Sequence, residues 1–288
     1  GGQLGRMLAE AASPLGVDVV VLDPTPDCPA ATPAADHIEG AFDDPEAFAE
    51  LVERADALTF EIELADADLL ADVDVPVHPK PWTLRTTEDK LAEKEALDEA
   101  GVPVPAYRRV DDAAALENAF DDLGAPLMLK ARHGGYDGRG NHITETVADA
   151  EEYFDDLEGL VAEELLDFER ELSAIGAKGA SEETQFPIVE NVHEDEILRE
   201  TRVPPSASDD VVAEARGIVA DVLDVLRGRG VYGVELFEVD GDVLVNEIAP
   251  RPHNSGHYTI EGAVTSQFEQ HVRAVLGLPL GDPSLRDP

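Results

Sequence analysis

The chain has 288 residues, 43% of them hydrophobic, and carries 63 acidic against 21 basic residues for a net charge of −42. That is enough apolar residue to bury a core in roughly two or three subdomains, while so acidic a surface argues against nucleic acid or anionic membrane as a partner. No stretch reaches the ~18 apolar residues of a membrane span, and the single cysteine, Cys28, rules out an internal disulfide and fits a reducing cytoplasm. The acid is spread along every segment and lysine is scarce, a pattern expected of a halophilic source, where salt screens self-repulsion.

In chain order, Gly1-Gly2-Gln3-Leu4-Gly5-Arg6 leads into a helical run to Ala12. Val17 to Leu22 reads as an apolar strand ending in Asp23. Asp44-Pro45 starts a helix through Arg54, and Ala57 to Phe60 reads as the next strand. This β/α alternation predicts a parallel, doubly wound layer. A glycine-rich turn that opens a helix normally follows a strand, so a first strand is expected before Gly1. Pro76 to Pro81 reads as a linker, and Thr86-x-x-Asp89 as the cap of a helix to Ala100, stopped by Gly101. A helix over Ala113 to Leu123 and a strand over Leu127 to Ala131 follow, then a glycine-rich stretch, Gly134 to Gly140, and extended Asn141 to Thr144. Beyond these come a helix over Ala148 to Leu157 and a strand over Leu160 to Glu164. Several strands, plausibly antiparallel, span Arg170 to Val203. A long helix covers Ser208 to Leu226, and a last one roughly Val264 to Leu276.

Between those two helices lies VYGVELFEVDGDVLVNEIAPRPHNSG, Val231 to Gly256. Two alternating, β-branched runs around Asp240-Gly241-Asp242 make a hairpin signal. A three-residue turn would pair Val239 with Val243 and set Glu235 opposite Glu247. Facing carboxylates repel by up to about 1 kcal/mol, a penalty that a divalent cation would reverse, since Mg²⁺ takes hard oxygen ligands. An acidic, exposed hairpin is the plain alternative. Arg251, His253 and Asn254 follow directly as a cluster of polar side chains between prolines.

Other stretches weigh chemistry against plain structure. Gly1 to Gly5 could cradle an anion at a helix N-terminus or simply make a tight turn, and Asp23 stands where a dinucleotide fold would want an acid. Gly134-Gly135-Tyr136-Asp137-Gly138-Arg139-Gly140 lies between two strands, so it is no strand-to-helix phosphate loop. It has more glycine and more decoration than a hairpin turn needs, and its N–H groups suit phosphates. Lys130 interrupts an apolar strand just before it; it either snorkels or neutralises phosphate. Lys90 sits in the first turn of a helix, against the dipole. Glu163-Glu164 ends a strand, as an adenosine-facing pair or an acidic surface. Glu61 and Glu63 lie at the carboxyl end of an N-terminal strand, where open sheets place ligands. His193 is a loop histidine or a ligand contact. His37, His78, His133 and His142 form no metal spacing.

The order Lys130, GGYDGRG, Glu163/Glu164, His193, Glu235 and Asn246-Glu247 resembles that of an ATP-grasp enzyme. The strings GGQLGRM, KARHGGYDGRGN and NEIAPRPHNSGHYTIEGAVTSQFEQHVRAVLGLPLG are similar to the PurK-type N5-carboxyaminoimidazole ribonucleotide synthetases, and the likeness runs over essentially the whole chain. The resemblance implies an α/β ATP-grasp fold, α+β in the lid, behind a Rossmann-like pre-ATP-grasp domain. The expected division is 1–85, then 86–276 with a lid at about 106–162, then the start of a C-terminal segment at 277–288. It also implies that ATP, bicarbonate and 5-aminoimidazole ribonucleotide give N5-carboxyaminoimidazole ribonucleotide, ADP and phosphate through carboxyphosphate, in a cytoplasmic homodimer. The amine attacks the carboxyl carbon directly or after CO₂ release.

Carried over by position, Lys90 and Lys130 would meet ATP, and Gly135, Tyr136, Asp137, Gly138, Arg139, Gly140 and Asn141 would close over the triphosphate. Glu163, Glu164, Leu166 and Glu171 would line the adenosine pocket, with His193 near the nucleotide. Glu235 and Glu247 would hold Mg²⁺, beside Asn246. Gln3, Glu63, Tyr136, Asp137, Arg139, Arg251, His253 and Asn254 would surround ribonucleotide and bicarbonate, the last six of these having Tyr136, Asp137, Arg139, Arg251, His253 and Asn254 as the catalytic group. Lys90 stands where the family often has Arg, and the family continues past residue 288 with further basic residues that contact substrate phosphate. The alternatives are a formate-using or biotin-dependent relative and a non-catalytic nucleotide-binding homologue.

Overall fold

A computed structural model of the chain describes residues 1–134, 140–194 and 197–287. Two antiparallel sheets carry the site, and both obey the same rule: alternate residues face helices on one side and a shared cleft on the other. The larger sheet has the order Ile197–Arg202, Val189–Glu194, Arg170–Lys178, Gly230–Val239, Asp242–Ala249, and Glu183–Gln185 also pairs with Arg170–Lys178. Its inner face (Leu172, Ala174, Tyr232, Val234, Leu236, Val243, Val245) packs on the helix Asp209–Val225 through Val211, Ala215, Ile218, Val219, Val222 and Leu223. Ser208 caps that helix by accepting the Val211 N–H.

The smaller sheet has the order Tyr107–Val110, Leu160–Glu164, Leu127–Ala131, Asn141–Thr144. Leu127, Leu129 and Ala162 pack among Leu116 and Ala119 of the helix Ala113–Leu123 and Ala150 of the helix Val147–Tyr153. The alternation therefore turns Met128, Lys130 and Glu163 toward the cleft. The helix Lys90–Glu99 lies between the sheets and is stapled to the smaller one. Asp89 caps it by accepting from Leu91 N–H, and also takes Arg132 Nε at 2.9 Å and Nη2 at 2.5 Å.

The N-terminal layer holds two parallel strands, Val20–Asp23 and Asp36–Glu39. The apolar run Ala57 to Phe60, expected to be a strand, makes only an isolated bridge from Leu58 to Val77. An apolar cleft of 290 Å³, lined by Val19, Val21, Leu58 and Phe60 among others, separates it from Val20–Asp23.

Three other expectations shift. Thr86 caps nothing: it lies inside a helix, Pro81–Thr87, that begins at the last proline of the expected linker, with its hydroxyl donating to Trp82 O. Proline at a first helical position fits because its missing N–H would be unpaired there anyway. The last helix starts at Gln267, where Ser266 accepts the Glu269 N–H, rather than at Val264. The hairpin turn has two residues, not three: Asp240 (φ 54°) and Gly241 (φ 88°) are both left-handed, as a type I′ turn requires, and Val239 pairs with Asp242. That register alone would slide Glu235 off Glu247. A bulge between Glu235 and Leu236, opposite Asn246, restores the facing pair.

Candidate active site

The cleft between the two sheets measures about 710 Å³, within the usual range for a small-molecule site. Its floor is the bulged hairpin. Glu235 and Glu247 face each other across the ladder, and Asn246, the extra residue of the bulge, donates from Nδ2 to Glu235 Oε2 at 3.3 Å. Burial and the neighbouring Glu247 push the Glu235 carboxyl up to about 7. Burial would raise Glu247 as well, but Lys90 outweighs it and holds that carboxyl below its ordinary value. Lys90 Nζ donates to Glu247 Oε2 at 2.6 Å, so a helix N-terminal lysine that is misplaced against its own dipole is placed by this carboxylate.

The opposite wall carries Lys130, whose Nζ lies 2.9 Å from Glu163 Oε2 and donates to Asn246 Oδ1 at 3.2 Å. Glu163 is only 2% exposed. Its other oxygen lies 3.1 Å from Lys94 Nζ, also 2% exposed, one turn along the helix from Lys90. Burial would raise the Glu163 carboxyl, but Lys130 and Lys94 together hold it low. Neither Lys94 nor Glu93 was singled out in the sequence. The usable signal was the four-residue spacing of Lys90 and Lys94 in a chain with only five lysines. Glu93, buried beside them, accepts the Ile248 N–H at 3.1 Å and so fixes the backbone next to Glu247.

At the far end, Arg251 Nε donates to Glu63 Oε1 at 2.7 Å, tying the hairpin exit to the N-terminal layer. His253 lies against Gly233, where a Cβ would come within 2.5 Å of the histidine Cβ, so the strand needs glycine there. Burial, helped by Arg251, lowers the His253 imidazole to about 4, so it is neutral at pH 7. Its Nδ1 accepts the Ser255 N–H at 3.4 Å, which leaves the ring proton on Nε2, 3.3 Å from Glu235 Oε1. Gln267 clamps the His253 backbone from both sides, accepting its N–H at 2.9 Å and donating to its carbonyl at 2.8 Å.

The other expected residues divide plainly. Glu164, Leu166, Glu171, His193, Asn141 and Asn254 line the cleft. His193 pairs with Glu171, and that contact raises its imidazole above the ordinary value. Glu164 accepts the Ala106 N–H at 2.8 Å, and Gly140 N-terminal to Asn141 accepts from Ala131 N–H at 2.8 Å. The stacked rings of Phe168 and Phe237, 4.6 Å apart, also reach the cleft, an apolar element the sequence reading missed. Gly135, Tyr136, Asp137, Gly138 and Arg139 lie outside the described residues. Gln3 is exposed at the start of the first helix and is not among the cleft's lining residues. The anion at that helix N-terminus is internal: Glu61 accepts the Gly2 N–H at 2.9 Å, which removes the ground for a dinucleotide there.

Residues 95–268 match the ATP-grasp domain model, and residues 1–88 match the ribonucleotide synthetase preATP-grasp domain. An N5-carboxyaminoimidazole ribonucleotide synthase of Pseudomonas aeruginosa is 42% identical over 286 residues, covering 98% of this chain and 79% of that protein. The chain belongs to the ATP-grasp family of N5-carboxyaminoimidazole ribonucleotide synthases. The phosphoribosylaminoimidazole carboxylase of Ogataea methanolica is 41% identical over 97% of this chain, which spans only 54% of that longer relative, about half its length. Among solved structures, a carboxyaminoimidazole ribonucleotide synthase of Aspergillus clavatus complexed with ATP superposes with a TM-score of 0.93 at 39% identity, covering 99% of this chain and 77% of that one. The same enzyme in complex with ADP and 5-aminoimidazole ribonucleotide gives 0.92 at 37%, covering 99% and 78%. Membership fits the two-sheet cleft with its lysines on one wall and carboxylates on the floor. No described helix is long and apolar enough to cross a membrane.

Proposed function

We propose that the protein carboxylates 5-aminoimidazole ribonucleotide with bicarbonate at the expense of ATP, giving N5-carboxyaminoimidazole ribonucleotide, ADP and phosphate in purine biosynthesis. The observation that carries this reading is the meeting of Lys90 and Lys130 with Glu235 and Glu247 in one cleft. Relatives of the same fold hold ATP, or ADP with 5-aminoimidazole ribonucleotide.

In the first step a bicarbonate oxygen attacks the γ-phosphorus. The new O–P bond replaces the bond to the β-phosphate oxygen, and ADP leaves. In the second, the ribonucleotide amine attacks the carboxyl carbon of carboxyphosphate, the C–O bond to phosphorus breaks, and phosphate departs as the amine loses a proton. Lys90 and Lys130 neutralise the triphosphate, aided by the glycine-rich residues Gly135 to Asn141. Leu166, Glu164 and the Phe168–Phe237 stack border the nucleoside, with Glu171 and His193 beside it. Arg251, His253, Asn254 and Glu63 face bicarbonate and ribonucleotide. Walling off water preserves carboxyphosphate long enough to be attacked.

Glu235 and Glu247, with Asn246 beside them, fit Mg²⁺, because the two carboxylates are hard oxygen donors on rigid strands and repel each other without a cation. No cluster of three metal-ligating His, Cys, Asp or Glu side chains occurs among the described residues, which suits an ion completed by phosphate oxygens and water. Bound there, it would supply positive charge at the transferring phosphate. The reading extends to a cytoplasmic homodimer. The deciding measurement is phosphate release in high salt, expected only when ATP, bicarbonate and 5-aminoimidazole ribonucleotide are all present; release that ignores the ribonucleotide sinks the proposal.

A further inference from the structure

Behind the cleft wall lies a buried ion pair, Lys94 with Glu163, that the proposed chemistry does not use directly. Lys94 and Glu163 are each 2% exposed, 3.1 Å apart, and neither Lys94 Nζ nor Glu163 Oε1 is aligned for a hydrogen bond with any described group. Glu163 Oε2 is 2.9 Å from Lys130 Nζ, which in turn donates to Asn246, and Asn246 donates to Glu235. The chain of contacts thus runs from the inner face of the helix Lys90–Glu99 to the carboxylate floor.

A buried lysine is expensive in isolation and is kept only where a partner needs it. Here the partner is a buried carboxylate that already holds a second lysine. With Lys94 present, the three side chains carry one net positive charge, and Glu163 divides its attraction between two ammonium groups. Without Lys94, Glu163 would pair wholly with Lys130 and cancel its charge. We propose that Lys94 is a positioning residue for ATP: through Glu163 it sets the Lys130 ammonium and leaves its charge available to the triphosphate. This rests on the reading that ATP binds in the cleft.

The test compares dissociation constants of ATP and of adenosine, which shares base and ribose but has no phosphate, by calorimetry in molar KCl. Lys94→Met should weaken ATP about tenfold or more while leaving adenosine within about threefold. The double variant Lys94→Met/Glu163→Gln restores the single net positive charge and should recover the ratio of ATP to adenosine affinity to within about threefold of the wild type, a ratio that cancels any contact of Glu163 with the nucleoside. A plain packing role predicts otherwise: ATP and adenosine weakened alike, and no recovery in the double variant. Either of those results, or unchanged ATP binding in Lys94→Met, overturns the inference. Should Lys94→Met fail to fold, the double variant decides alone, a near-wild-type ratio of ATP to adenosine affinity supporting the inference and a tenfold lower ratio overturning it. A wild-type chain that binds no ATP defeats the cleft reading itself, and the inference with it.

Discussion

Charge serves two opposite purposes on this molecule. On the outer surface it is abundant and loosely arranged: Arg108 with Asp122 and Arg54 with Asp36 are pairs whose side chains remain roughly one-third to one-half exposed. Such pairs contribute little and are weakened further by salt. In the cleft, charge is concentrated and tightly held. Three of the chain's five lysines, Lys90, Lys94 and Lys130, converge on Glu247 and Glu163. The surface pairs respond to bulk screening, whereas the cleft depends on individual atoms. Bulk changes of salt should therefore act on stability, and single substitutions in the cleft should act on chemistry.

The largest effect expected is on the surface. With a net charge of −42, transfer from molar KCl to dilute buffer should unfold the chain, read by circular dichroism; a melting temperature that stays level across that range would remove the halophilic reading. Next comes the floor of the cleft. Glu247→Gln should cut phosphate release on the order of a hundredfold or more with the fold intact, and near-normal turnover would sink its assignment to Mg²⁺.

A smaller effect concerns His271, fully buried where the N-terminal layer meets the larger sheet. It accepts the Val231 N–H and lies 2.8 Å from the Thr59 hydroxyl. Burial lowers its imidazole from 6.5 to about 3. The folded state therefore keeps it neutral where the unfolded chain would protonate it. Its contribution is complete above pH 6.5 and declines as the pH falls from there toward 3, by up to about 1.4 kcal/mol per pH unit. Melting curves of wild type and His271→Gln should converge over that window; a constant gap would contradict the sign. The smallest effect belongs to an exposed pair: Arg108→Ala should change stability by no more than about 0.5 kcal/mol in urea titrations. A larger loss would mean that the surface, too, depends on particular contacts.

Much of the fold was legible because its signals are local. The Asp44-Pro45 cap set the helix Pro45–Arg54, and the strands Leu127–Ala131 and Leu160–Glu164 fall where their apolar runs placed them. Where a signal had competitors, the reading slipped. Thr86-x-x-Asp89 looked like a box capped by Thr86, and only packing shows that Asp89, held by Arg132, starts the helix. Of the candidate site, the residue types along the hairpin and beside the glycine-rich stretch were visible. Lys94 and the Phe168–Phe237 stack were not, since a buried lysine and an aromatic pair are unremarkable until their partners are known.

The facing carboxylates mark the boundary most clearly. Alternation by itself would put Glu247 on the face of Val243 and Val245, away from Glu235, because side chains in a strand repeat every two residues. Whether they stand opposite each other depended on the turn, and Asp240-Gly241 closes it one residue shorter than expected. Only the bulge at Asn246 brings them back into register. A bulge is a bargain between ladder hydrogen bonds and the contacts its extra residue gains, here with Glu235 across the hairpin and with Lys130 from the smaller sheet. The sequence by itself determined the chemical parts and their order. Their register and mutual aim were decided by the tertiary structure, because Lys130 and Lys90, which hold Asn246 and Glu247, lie more than a hundred residues away.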